Sequence, residues 1–106
     1  MTYTEAQGIY YINIQIRKLE SDLALAPSEE TRQRLETARD ELRQAVQEFE
    51  DFLRTVDDRE TQAILRFRGI DNLTWREIGD LIHMDGSAVR RRYLRFFAKL
   101  AKNATK

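Results

Sequence analysis

Residues 73–100 read LTWREIGDLIHMDGSAVRRRYLRFFAKL, and the reading of this stretch decides the fold. Thr74 and Glu77 have the spacing of a capping box, in which the Thr oxygen accepts an early backbone N–H and the Glu reaches back to the cap's own N–H. Trp75, Ile78, Leu81 and Ile82 then recur at helical spacing. The pattern breaks at His83–Met84, and Asp85 is a good cap for the next helix. Two short helices joined by a tight break, the second dense in Arg and Lys, have the layout of a helix-turn-helix. In that layout the second helix is built to lie in a DNA groove.

The flanks extend this unit. Upstream, a helix is expected to start at Asp57 or Asp58, with Ala63, Ile64, Leu65 and Phe67 as its apolar face. Gly69 is expected to end it in the left-handed conformation that glycine tolerates, and Asp71–Asn72 forms the loop into Thr74. The next helix runs from Leu73 or Thr74 to Ile82, and the last from about Gly86 to Ala101, followed by a frayed polar tail. Val89, Phe96, Phe97 and Leu100 lie on its inner face, with Arg92 or Tyr93 filling the turn between.

Further upstream the pattern changes to heptads. Ile9, Ile12, Ile16, Leu19 and Leu23 step by three and four, predicting a helix from Thr4 to Ala26. Tyr10, Tyr11 and Ile14 widen its apolar face, and the residues before Gly8 are expected to fray. Pro27 disfavours helix in the residue before it, and Ser28 is an N-cap with Glu29 and Glu30 well placed at the dipole. A long helix from about Glu29 to Thr55 follows, striped by Leu35, Ala38, Leu42, Ala45, Phe49 and Phe52.

The expected fold class is therefore all-α, a long helical hairpin over residues 1–56 followed by a three-helix helix-turn-helix unit over residues 57–106. Two helices alone bury too little apolar surface to stand freely. The hairpin must pack on the C-terminal unit, on a second copy of the chain, or on both. A homodimer joined through this arm is the expected arrangement, against the alternative of one five-helix domain.

The bulk properties narrow the function. The 106 residues hold one Pro, four Gly and no Cys. Disulfides, thiolate zinc sites and Cys nucleophiles are excluded, and a cytoplasmic protein fits. There is no apolar run of about 18 residues and no signal-peptide pattern, so no membrane partner is expected. The net charge of zero hides a split. Residues 1–60 hold 8 Lys+Arg and 14 Asp+Glu, a net of −6, while residues 61–106 hold 10 and 4, a net of +6. From Gly86 onward there are 7 basic residues and no acid. Such asymmetry marks a surface for an anionic polymer. The plainer alternative is a solvated basic helix end favoured by the dipole.

The expected DNA-binding residues are Ser87, Arg90, Arg91, Arg95 and Lys99. Arg91 and Arg95 stand one turn apart and repel each other, a repulsion that a phosphate backbone relieves. Ser87 and Arg90 are nearest the N-terminus, the end that enters the major groove. The short residues Gly86, Ser87 and Ala88 allow close approach to the duplex. His83, the single histidine, reads as a turn residue, and Trp75 as packing. No phosphate loop, nucleophile motif or paired catalytic carboxylate stands out, so neither enzyme activity nor a metal or cofactor is expected.

Residues 58–100 resemble the helix-turn-helix of sigma-70 region 4. The likeness runs through Arg59–Glu60, ILRFR at 64–68, LTWREIG at 73–79 and Val89–Arg90. The Trp after the Thr and the Arg-Arg-Tyr run also resemble small phage and prophage regulators of the ArpU-like kind. What the resemblance implies is promoter-type binding of double-stranded DNA through the last helix, in transcription regulation, with RNA polymerase as a further partner. The family usually opens this helix with long polar residues, whereas this chain has Gly86, Ser87 and Ala88. The N-terminal hairpin has no counterpart in region 4. Two other readings fit the same layout: a small DNA-packaging, terminase-like assembly subunit, and a protein module that contacts polymerase.

Overall fold

The computed structural model describes residues 1–104, and over these the chain is all-α. A short 3-10 turn, Glu5–Gln7, leads into α1 (Gly8–Leu25), α2 (Glu29–Leu53), α3 (Arg59–Gly69), α4 (Trp75–Ile82) and α5 (Gly86–Ala104). The molecule measures 46 × 34 × 19 Å. Among the described residues, no helix is long and apolar enough to cross a membrane.

The caps set the helix starts. The Ser28 hydroxyl accepts from the Thr31 N–H at the head of α2, and the Asp58 carboxylate accepts from the Thr61 N–H at the head of α3. The Thr74–Glu77 capping box forms as expected: Glu77 N–H donates to Thr74 Oγ1 at 3.1 Å and Thr74 N–H to Glu77 Oε1 at 3.0 Å. The helix α2 stops at Leu53, short of the expected Thr55: the chain turns there, Val56 N–H donating to the Leu53 carbonyl at 3.0 Å, and the Gln62 side chain donates to the same carbonyl at 2.7 Å.

The residues before Gly8 do not fray. Thr2 and Glu5 bond reciprocally, each backbone N–H donating to the other's side chain at 3.1 Å. This holds the 3-10 turn, buries Ala6, and brings the Tyr3 ring edge-on to Tyr93 and Phe97, 6.2 Å away in each case. At the other end α5 continues to Ala104, so part of the expected tail is helical, and residues 105–106 lie outside the described ones.

The heptad stripes of α1 and α2 face each other. Ile16, Leu35 and Ala38 form a small buried cluster towards the hairpin tip, with Ile12, Leu19, Leu23 and Leu42 against it. The larger core joins both parts of the chain: Ala6, Ile9, Phe49 and Leu53 pack with Ile64, Leu65, Ile78, Val89, Tyr93 and Phe97. Each fully buried side chain of this size contributes about 1.5–3 kcal/mol relative to exposure. Arg92 does not fill the inner face of α5; Tyr93 does, at 3% exposure. Leu81 is 56% exposed and does not join the core with Trp75, Ile78 and Ile82.

Gly69 serves packing instead of a left-handed turn. No glycine has positive φ; Asn72 (57°) and His83 (59°) take the left-handed positions. A Cβ at Gly69 would lie 2.2 Å from the Phe49 ring, so only glycine lets α2 approach α3 this closely. At Gly8, by contrast, a Cβ meets nothing within 4 Å. Gly69→Ala is expected to cost about 1–3 kcal/mol by overpacking, and Gly8→Ala to be neutral or to stabilise by up to about 1 kcal/mol. Urea unfolding of the two variants measures the contrast, and equal midpoints would remove the Phe49–Gly69 account.

Candidate nucleic-acid interface

The orientation of α5 is set by two close backbone approaches. Gly79 lies against the Met84 carbonyl, where a Cβ would sit 2.3 Å from the oxygen. Gly86 lies against the first turn of α4, with its Cβ position 3.2 Å from the Arg76 nitrogen. The turn between is completed by left-handed His83, whose N–H, like that of Met84, donates to the Gly79 carbonyl. The lack of a side chain at Gly86 therefore serves helix crossing.

With α5 so placed, Val89, Tyr93 and Phe97 are buried, and Ser87, Arg90, Arg91, Arg95 and Lys99 are all exposed. All five expected residues thus lie on the surface of one helix. Arg90, Arg91, Arg95 and Lys99 sit in no ion pair among the described residues. Arg92 behaves differently. It turns back to α3, where its guanidinium donates to Asp58 Oδ2 at 2.5 Å, to Glu60 Oε1, and to Thr61 Oγ1 at 3.2 Å. Three consecutive arginines are therefore divided between two outward charges and one internal clasp.

Ser87 is also engaged. Its hydroxyl donates to the Asp85 carboxylate, while the Asp85 carbonyl accepts from the Ala88 and Val89 N–H groups. Asp85 thus opens α5 through its backbone, and its side chain leaves Ser87 Oγ with lone pairs to offer rather than a proton. Ala88 is half-buried.

Arg76 was not among the expected site residues. It is exposed on the first turn of α4, beside Gly86, and it too is unpaired among the described residues. The sequence carried a signal for it. A cation in the first turn of a helix opposes the dipole, so its presence at that position calls for a reason outside the helix.

The comparisons with known proteins give no relative: the chain matches no family model, no curated protein and no solved structure.

Two carboxylates at the bases of these helices titrate below their ordinary values. Asp58 is lowered chiefly by the Thr61 hydroxyl, then by the Thr61 N–H and by Arg92. Glu77 is lowered by the Thr74 N–H and hydroxyl. Groups of this kind contribute stability in full above their unfolded values, and lose it as pH falls through the lower folded ones. The ordinary values are 3.8 for Asp58 and 4.5 for Glu77. Thermal stability is therefore expected to fall more steeply once pH drops below about 4.5. The double variant Asp58→Asn, Glu77→Gln is expected to flatten that acid limb. Melting curves followed by circular dichroism across the range test it, and an unchanged acid limb in the variant would refute the assignment.

Proposed function

We propose that this chain binds double-stranded DNA through the exposed face of α5 and acts in transcriptional control, in a phage or mobile-element setting. The observation that carries the reading is the set of unpaired, exposed cations Arg90, Arg91, Arg95 and Lys99 on one rigidly seated helix. Like charges at one-turn spacing destabilise an isolated helix, and phosphates relieve the repulsion with release of counterions. Arg91, Arg95 and Lys99 anchor the backbone in this reading, with Arg76 joining them from α4. Arg90 and Ser87 stand nearest the base edges, Arg90 as a bidentate donor to guanine and Ser87 as an acceptor for a base amino group. The resemblance of residues 58–100 to sigma-70 region 4 supports the promoter setting and adds RNA polymerase as a proposed partner. No chemical step is assigned to the protein.

Charge reversal of Arg90 and Arg91 together is expected to abolish duplex binding while leaving helicity intact, because both side chains are exposed. In the unaltered protein, log affinity is expected to fall with log salt at a slope of roughly −2.7 to −4.5, for about three to five phosphates neutralised. Fluorescence anisotropy with a mixed-sequence duplex reads both. Undiminished affinity in the variant, or a flat salt profile, would refute the proposal.

Pairing of two copies is the finer part of the same proposal. The heptad stripes face inward within the hairpin, so a dimer contact on the arm falls to Tyr11 and Ile14 on the outer face of α1, 61% and 42% exposed. Light scattering over a concentration series is expected to show a dimer that Ile14→Lys dissociates. A strict monomer at high concentration would remove the paired half-sites.

A further inference from the structure

A cavity of about 320 Å³ lies where the N-terminal turn and α1 meet the helix-turn-helix unit, and none of the exposed cations of α5 lines it. Its walls include the rings of Tyr3, Tyr10, Trp75 and Tyr93. An apolar cavity of about 150 Å³ holds a benzene ring, so this one has room for a ring with substituents. The walls are aromatic and preorganised: Trp75 and Tyr93 meet edge-to-face with centroids 5.2 Å apart, and Tyr3 and Tyr93 at 6.2 Å. Such edges and faces receive a further aromatic ring well.

Polar groups converge on the same space. Arg68 lines it, with its guanidinium 4.1 Å from the Trp75 ring centroid. This half-buried cation has no carboxylate partner among the described residues. It gives one N–H to the Leu73 carbonyl at 3.0 Å, and a guanidinium has five. The Tyr93 hydroxyl is held neutral, with burial pushing its pKa up to about 12. Asn72, on the α3–α4 loop, also lines the cavity, and its Oδ1 is buried with no hydrogen-bond partner. An unmet buried acceptor costs free energy that a donor brought to it by a bound molecule relieves. None of these features serves DNA binding. Arg68 belongs to α3 and is not one of the exposed cations of α5, and Asn72 holds its left-handed loop position through its backbone.

We infer that this cavity is a binding site for a small aromatic carboxylate that also carries an N–H donor. The ring sits among Tyr3, Tyr10, Trp75 and Tyr93. The carboxylate pairs with the guanidinium of Arg68, and the N–H meets Asn72 Oδ1. This site is independent of the DNA-binding reading and stands or falls by a separate experiment.

Trp75 is the single tryptophan, so its indole N–H gives one resolved cross-peak in a proton–nitrogen correlation spectrum of the labelled full chain. The probes are 4-aminobenzoate, benzoate (which lacks the N–H) and aniline (which lacks the carboxylate). 4-Aminobenzoate is expected to shift the Trp75 peak saturably and to bind more tightly than either partial probe. Arg68→Gln is expected to weaken both acids by about tenfold, the loss of one charge-assisted hydrogen bond, and to leave aniline unchanged. Asn72→Gly removes the carboxamide while suiting the positive φ, and is expected to bring 4-aminobenzoate down to the affinity of benzoate. An unmoved Trp75 peak with all three probes would overturn the proposal. So would equal weakening of acids and aniline in the Arg68 variant, which marks a structural role for Arg68. Equal binding of 4-aminobenzoate to the Asn72 variant and the unaltered chain would also overturn it.

Discussion

Helices α4 and α5 meet backbone against backbone, and the placing of every outward charge on α5 follows from that contact. Gly79 accepts the Met84 carbonyl and Gly86 accepts the first turn of α4 at distances that leave no room for a Cβ without movement. Protein interiors transmit such constraints because they are close-packed and relax little. Once the crossing is set, the 3.6-residue period does the rest. Val89, Tyr93 and Phe97 turn to the core, and the exposed positions fall to Ser87, Arg91 and Arg95, flanked by Arg90 and Lys99.

The same geometry divides the basic run by function. Arg92 faces α3 and closes on Asp58, Glu60 and Thr61, tying the last helix to the head of the third. Its neighbours face water without a partner. A partly exposed ion pair adds little stability by itself. What the clasp adds is orientation, since it spans two helices and joins a cap that already holds Thr61.

A second join carries the hairpin. Phe49 of α2 lies on the bare backbone of Gly69, and Phe52 stacks with Phe97 at 6.4 Å. The hairpin base therefore shares one core with the helix-turn-helix unit, while its tip has only the small cluster around Ile16, Leu35 and Ala38. The aromatic cavity arises at this junction. It needs Tyr3 and Tyr10 from one end of the chain and Trp75 and Tyr93 from the other.

Local signals in the sequence determine the helices, because caps and apolar periods act over three or four residues. Ser28, Asp58 and the Thr74–Glu77 pair mark three starts, and the all-α class follows from them. The exposure of Ser87, Arg90, Arg91, Arg95 and Lys99 is also readable, since burying Val89, Phe96 and Phe97 leaves them the outer face. Three features depend on distance in space and only the tertiary structure decides them. Gly69 looks like a turn residue, and Gly86 like a plain helix start, until the element that presses on each is known. Arg92 reads as a candidate for the inner face of the last helix until Asp58 and Glu60, more than thirty residues away, are brought beside it. The residues before Gly8 look free until Tyr3 meets Tyr93 and Phe97. Spacing along a chain records what a residue can do within its own helix, whereas its neighbours across the core depend on how the helices cross.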